Sequence, residues 1–201
     1  MSETQKRLIV GLSGASGQIY GIRLLQVLKE MPGLETHLVI TPAARLTIAE
    51  ETDWTARRVE ALADHVYRAG DVGASLASGS FAAAGMIVAP CSIKSLSAIA
   101  NSYADNLLTR AADVQLDVQL KEGRPVLLMV RETPLHLGHL ELLARAARIG
   151  CIIFPPVPAF YAHPRTLADV VDATVGRALA RMGIDNALFT RWGGRTAQGE
   201  G

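Results

Sequence analysis

Aromatic side chains are scarce here, 5% of 201 residues, and cysteine occurs only twice. Few aromatics beside abundant Ala, Val, Leu and Ile suit a parallel α/β core, whose strands are covered on both faces and read as continuous apolar runs. Cys91 and Cys151 each sit at an apolar strand end without metal-ligand spacing, which predicts buried, reduced thiols and a cytoplasmic protein. Charge of one sign is also missing. The formal net charge is +1 and well mixed, so no basic stripe calls for nucleic acid. No apolar run approaches membrane-spanning length, and Met1–Arg7 is polar with no signal-peptide core after it. No membrane role is expected.

Two nucleotide fingerprints are absent as well. The run Leu8-Ile9-Val10-Gly11-Leu12-Ser13-Gly14-Ala15-Ser16-Gly17, continuing to Tyr20-Gly21, reads as a buried strand, a glycine-rich turn with two hydroxyls, and a helix start. Backbone N–H groups and a helix N-terminus can converge on a phosphate at such a turn. The glycines at 11, 14, 17 and 21 do not make G-x-G-x-x-G, and the second strand runs into Thr41 and Pro42 with no ribose-binding acid. No Gly-Lys-Ser/Thr follows, so a Walker loop is excluded too. A mononucleotide or another phosphate ligand remains.

Strand-like runs at 8–12, 36–40, 86–89, 126–130 and 152–154 alternate with helical patterns at 17–31, 42–50, 95–101, 107–120, 137–149 and 167–182. This predicts a doubly wound α/β sheet, mostly parallel, in a single domain over 1–192 with a disordered tail over 193–201. Ligands of such sheets bind beyond the carboxyl ends of the strands. That edge collects Ser13–Ser16, Thr41, Glu50 and Glu51, Pro90–Ser95, Arg131–Pro134 and Pro155–Tyr161. Residues 70–85 read as a flexible loop lying over it. One repeat stands out: Asp113-Val114-Gln115-Leu116 is followed at once by Asp117-Val118-Gln119-Leu120.

Six ordered motifs then resemble one family. Ser13-Gly14-Ala15-Ser16-Gly17, Pro90-Cys91-Ser92, Arg110-Ala111-Ala112-Asp113-Val114, Leu120-Lys121-Glu122, Val130-Arg131-Glu132-Thr133-Pro134-Leu135 and Pro158-Ala159-Phe160-Tyr161 are similar to those of the flavin prenyltransferases (UbiX/Pad1), from about Arg7 to Trp192. The resemblance implies a Rossmann-like, flavodoxin-type fold and a homo-oligomer, usually a dodecamer. It would join reduced FMN to dimethylallyl phosphate at N5 and C6 without a metal, and pass prenylated FMN to a UbiD-type decarboxylase. The stretch Met31–Val39 and the Ser78–Phe81 loop resemble members that accompany phenolic-acid decarboxylases. By the same resemblance Gly14, Ala15, Ser16, Thr41, Ser92, Ile93, Lys94, Ser95 and Arg131 would hold FMN. Ser16 would also lie near the prenyl phosphate. Arg110, Lys121, Tyr161 and Arg177 would hold that phosphate, with Ser78, Ser80 and Trp192 nearby. Glu51 and Glu132 would handle protons, and Ser16 and Lys121 join them as catalytic candidates.

The chain departs from the family in one place. The family pattern puts seven positions between the arginine and the lysine of the third and fourth motifs; here Arg110 and Lys121 are eleven apart because of the duplication. Either the helix lengthens by one turn, moving one cation about 6 Å, or the insertion loops out. Two other activities stay open: a flavin-dependent cysteine decarboxylase, disfavoured by Pro90–Ser95 and the lack of a histidine at the matching edge, and an FMN-binding subunit disabled by the duplication. His136, His139 and His163 form no metal constellation by spacing.

Overall fold

A computed structural model describes residues 6–122 and 124–189, with the side chains of 118–122 left out of the description. Six parallel strands form one sheet: β1 (Lys6–Leu12), β2 (Leu34–Ile40), β3 (His65–Arg68), β4 (Gly85–Cys91), β5 (Val126–Val130) and β6 (Cys151–Ile153), in the order β3-β2-β1-β4-β5-β6. Without the edge strand β3 this is the 2-1-3-4-5 order of flavodoxin-like sheets, as expected, and the topological switch lies between β1 and β4. Helices α1 (Gln18–Lys29), α2 (Pro42–Glu51), α3 (Ala56–Glu60), α4 (Ile93–Ala100), α5 (Leu107–Glu122), α6 (Leu137–Arg148) and α7 (Leu167–Arg181) follow the strands or lie between them. Among the described residues no helix is long and apolar enough to cross a membrane.

The chain divides into two compact units, 1–156 and 157–201. In the first, Ile9, Val39, Met86, Val88, Val126 and Leu128 face a buried cluster with Leu96 of α4 and Leu107, Leu108 and Ala111 of α5. Alternate residues of the same strands, Leu8, Val10, Leu12, Leu38 and Ile87, are also buried, as two covered faces require. Helix α1 presses closely on β4: a Cβ added at Gly21 would lie 2.2 Å from the Ala89 carbonyl oxygen. Only glycine permits that approach. In the second unit, the Thr166 side chain and Asp169 form a capping box at the start of α7. The Asn186 amide donates to the Gly176 carbonyl at 2.9 Å.

The duplication does not loop out. Helix α5 runs unbroken through both copies, placing the Arg110 and Lys121 backbones about 16 Å apart along its axis and on nearly one side of it. In the first copy Gln115 is fully buried, and neither its amide nitrogen nor its oxygen has a hydrogen-bond partner among the described residues. Each orphan atom costs about 1–3 kcal/mol. Gln115→Leu, similar in volume and apolar, is therefore expected to stabilise the fold by about 1–3 kcal/mol. The urea midpoint should rise with an unchanged slope; a fall would show that the amide is satisfied.

The loop over 70–84 departs from expectation. It is anchored, with a 3-10 turn over Ser75–Ala77, Leu76 in the core, and the Phe81 ring edge-on to His37 at 4.9 Å. Trp192 and the tail over 193–201 lie outside the described residues.

Candidate functional site

The carboxyl ends of β1, β2, β4 and β5 are tied into one ledge. Ser13 pins its centre: its backbone N–H donates to the Pro90 carbonyl at 3.2 Å, its hydroxyl donates to the same oxygen at 2.9 Å, and it accepts from the Ser92 N–H at 2.7 Å. Ser13 is buried and thus a structural pin, not a ligand contact. Thr41 N–H reaches the Leu12 carbonyl at 3.0 Å, and Arg131 N–H reaches Cys91 at 3.1 Å. Gln18, wholly buried, donates its amide to the carbonyls of Ser13 and Ala15 at 2.8 and 2.9 Å and so holds the glycine turn open.

Beside that ledge lies a cleft of about 460 Å³, lined by Gly14, Thr41, Pro42, Ala43, Ala69, Gly70, Ser92, Lys94, Ser95, Ala98, Asp105, Asn106 and Thr109. Three helices begin at its wall. Thr41 caps α2 through Ala44 N–H, Ser92 caps α4 through Ser95 N–H, and the Asn106 side chain accepts from Thr109 N–H at the start of α5. Their N-terminal dipoles and small hydroxyl side chains make the cleft an anion-binding environment. Its volume falls in the range of small-molecule sites.

The structure brings Gly14, Thr41, Ser92, Lys94 and Ser95 together there, with Ile93 in the first turn of α4. Ala15 and the exposed Ser16 continue the turn. The Lys94 ammonium lies 3.6 Å from the Asp105 carboxylate. Burial pushes the Tyr20 phenol above its ordinary value, opposed by the positive charge of Arg131, which places that guanidinium near α1. Glu132 is exposed and accepts from Thr133 N–H at 2.9 Å. Arg110 is ion-paired with Asp113 at 2.9 Å and does not line the cleft, whereas its neighbour Thr109 does. Ser78 and Ser80 hydrogen-bond each other at 2.8 Å, also away from the lining. Tyr161 and Arg177 belong to the second unit, both exposed. Lys121 is placed only by its backbone.

One contact revises the phosphate-cradle reading of the glycine turn. The Glu51 carboxylate, at the end of α2, accepts from Gly17 N–H at 2.8 Å and also from Gln18 N–H. The α1 N-terminus is thus occupied by a side chain of the protein itself, leaving the α2, α4 and α5 N-termini to face the cleft. Asn106, Thr109, Asp105 and Ala69 went unnoticed in the sequence, whereas Gly70 begins the loop expected over this edge. An Asn-x-x-Thr helix start was the available signal for the first two. Cys91 and Cys151 are free and buried, with burial raising both thiols, Cys151 to about 12. They are inert, as expected.

A parallel sheet of this order, with a phosphate-suited cleft beside its switch point, defines the class of doubly wound mononucleotide-binding proteins. The family model described as Flavoprotein matches residues 1–179. Flavin prenyltransferase UbiX of Escherichia coli (strain K12) is 58% identical over 191 residues, covering 94% of this chain and 99% of its own. The dodecameric FMN-dependent UbiX-like decarboxylase from Escherichia coli O157:H7 superposes with TM-score 0.89 at 48% identity, covering 94% of this chain and 100% of the other. AnUbiX (PadA1), in complex with FMN and dimethylallyl pyrophosphate, superposes with TM-score 0.90 at 44% identity, over 96% and 100%. The chain belongs to the Flavoprotein family and, within it, to the flavin prenyltransferases.

Proposed function

We propose that this protein is a flavin prenyltransferase, joining the dimethylallyl group of dimethylallyl phosphate to N5 and C6 of reduced FMN with release of phosphate. The observation that carries the reading is the cleft itself: three helix N-termini and four hydroxyl residues converge beside the switch point of a chain in this family. Reduced FMN supplies the nucleophilic nitrogen, and no metal is needed. The residues present fit the group, because the donors are neutral hydroxyls and backbone N–H groups, with Lys94 adding a positive charge beside the Asp105 carboxylate.

In this reading Gly14, Ala15, Ser16, Thr41, Ser92, Ile93, Lys94, Ser95 and Arg131 hold and orient FMN. Arg110, Lys121, Tyr161 and Arg177 supply cations and a hydroxyl for the departing phosphate, assisted by Ser16, Ser78, Ser80 and Trp192. Stabilising a developing dianion while excluding water is the main demand of this chemistry, and arginine suits it through bidentate donation. Glu132, next to Arg131, receives or relays the C6 proton. Residues 1–192 form the flavin-binding domain, supported by the family match over 1–179. The chain assembles with its own copies, as the dodecameric structural relative does. It acts in the cytoplasm and delivers prenylated FMN to a UbiD-type decarboxylase.

Purified protein incubated anaerobically with reduced FMN and dimethylallyl phosphate is expected to release a flavin heavier by one dimethylallyl unit. Unmodified flavin would overturn the reading. Deleting Asp117–Leu120 shortens α5 by about 6 Å and is expected to leave FMN binding intact. If only the shortened protein prenylates, the chain as it stands is an FMN-binding subunit.

A further inference from the structure

At the opposite end of the sheet, near the amino ends of its strands, Glu35 and His37 share one face of β2, and His65 pairs with His37 from β3. The Nε2 atoms of His37 and His65 lie 3.2 and 2.6 Å from the same oxygen, Glu35 Oε1. The other carboxylate oxygen is 3.5 Å from Arg7 Nε, and that guanidinium stacks 5.4 Å over the Phe81 ring, which itself stands edge-on to His37. His37 is only 3% exposed, and among the described residues its Nε2 has no aligned hydrogen-bond partner: the contact with Glu35 is close but poorly directed. Its Nδ1 is held at 3.0 Å by the Tyr67 hydroxyl, itself 3.3 Å from Ser75.

Neither tautomer of His37 satisfies this arrangement. With the proton on Nδ1, donated to Tyr67, the Nε2 lone pair faces a carboxylate oxygen, acceptor against acceptor. With the proton on Nε2, a buried N–H is left without an aligned acceptor. A divalent cation resolves both cases. It accepts the lone pairs of two imidazoles and a carboxylate while Tyr67 fixes the His37 tautomer, the usual outer-shell arrangement of a metal-bound histidine.

We propose that Glu35, His37 and His65 form a site for a divalent transition cation, with water as the fourth ligand and zinc the best match. Two histidines and one carboxylate are zinc-type ligands, and bonds of about 2.0–2.1 Å require ligand atoms about 3.3 Å apart. The 3.2 Å contact of His37 is close to that spacing, whereas the 2.6 Å contact of His65 is shorter, so His65 must draw back from the carboxylate as an ion enters. The rings stack with centroids 4.7 Å apart and planes 14° from parallel, so the His65 ring must turn to bring its lone pair onto the shared point. Its side chain is half exposed on an edge strand, free to turn and open to an entering ion. The ion would tie β3, the edge strand, to β2. It takes no part in flavin chemistry, which lies at the other end of the strands.

The test uses tag-free, chelator-stripped full-length protein and Zn²⁺ in competition with a chromophoric chelator. One Zn²⁺ per chain is expected, with affinity reduced at least ~10-fold in His65→Ala and in Glu35→Gln. Co²⁺ should give the intense visible bands of a tetrahedral site, lost in both variants. The double variant His136→Ala/His139→Ala, which alters a stacked histidine pair at the start of α6, should bind like the parent. FMN binding, followed in the same samples, should be unchanged by Zn²⁺ and by both site variants; it also reports that they are folded. Stoichiometry well below one, or His65→Ala and Glu35→Gln binding as the parent does, would overturn the proposal.

Discussion

Gly14→Ala is expected to slow prenyl transfer by ~100-fold or more, since a shift of about 1 Å in a reacting geometry has that consequence. A Cβ at this position would stand 2.4 Å from the Ala43 Cβ, with the Ala43 carbonyl carbon and Cα at 3.2 and 3.3 Å. Ordinary carbon contacts need about 3.5–4.0 Å. None of the obstructing atoms can rotate aside, because all belong to a small residue in the first turn of α2. Either the glycine turn or the start of α2 must give way, and both line the cleft. The strain should also cost about 1–3 kcal/mol of stability. Gly79→Ala is the control, since nothing lies within 4 Å of its added Cβ. Titrating FMN and measuring single-turnover rates for both variants checks the argument. Unchanged FMN affinity and rate in Gly14→Ala would mean that the turn does not shape the site.

Glu51→Ala is expected to lower prenyl transfer by about 10²–10⁴-fold if the carboxylate handles protons, together with a stability loss of about 1–2 kcal/mol. The second effect follows from geometry: Glu51 accepts from two backbone N–H groups that begin α1, and without it those donors and the positive end of the helix face solvent alone. Glu51→Gln separates the two roles. Its amide oxygen still accepts the N–H bonds, so most of the stability should return, while a proton-handling group would be absent. Denaturant midpoints and single-turnover rates of the two variants decide between them. Full activity in Glu51→Gln would reduce Glu51 to a cap.

Much of this architecture was legible along the chain. Apolar runs bounded by Gly, Pro and hydroxyl residues located five strands to within a few residues, because strands covered on both faces leave an unbroken apolar signature. The sixth, β3, and the short α3 escaped. His65–Arg68 is a four-residue edge strand, largely exposed, and carries no such run. The switch-point rule gathered Gly14, Thr41, Ser92 and Arg131 from four strand ends, since position at a carboxyl end is a property of order in the chain. It missed Asn106 and Thr109, which reach the cleft from a helix start far from their strand.

Residue order thus settled the fold class and the family and pointed to the edge of the sheet where the cleft lies, since each follows from local periodicity and contiguous motifs. Three-dimensional packing decided the rest, through contacts between residues distant in the chain. Glu51 meets Gly17 across 34 positions and takes the helix end that the glycine turn offered to a phosphate. His37 and His65 converge on Glu35 only because β3 pairs with β2 in one register. Whether the duplicated Asp-Val-Gln-Leu loops out or extends α5 was likewise a question of packing. Helical hydrogen bonds and burial of Val114 and Leu116 in the first copy favour the longer helix, at the cost of leaving Gln115 unsatisfied.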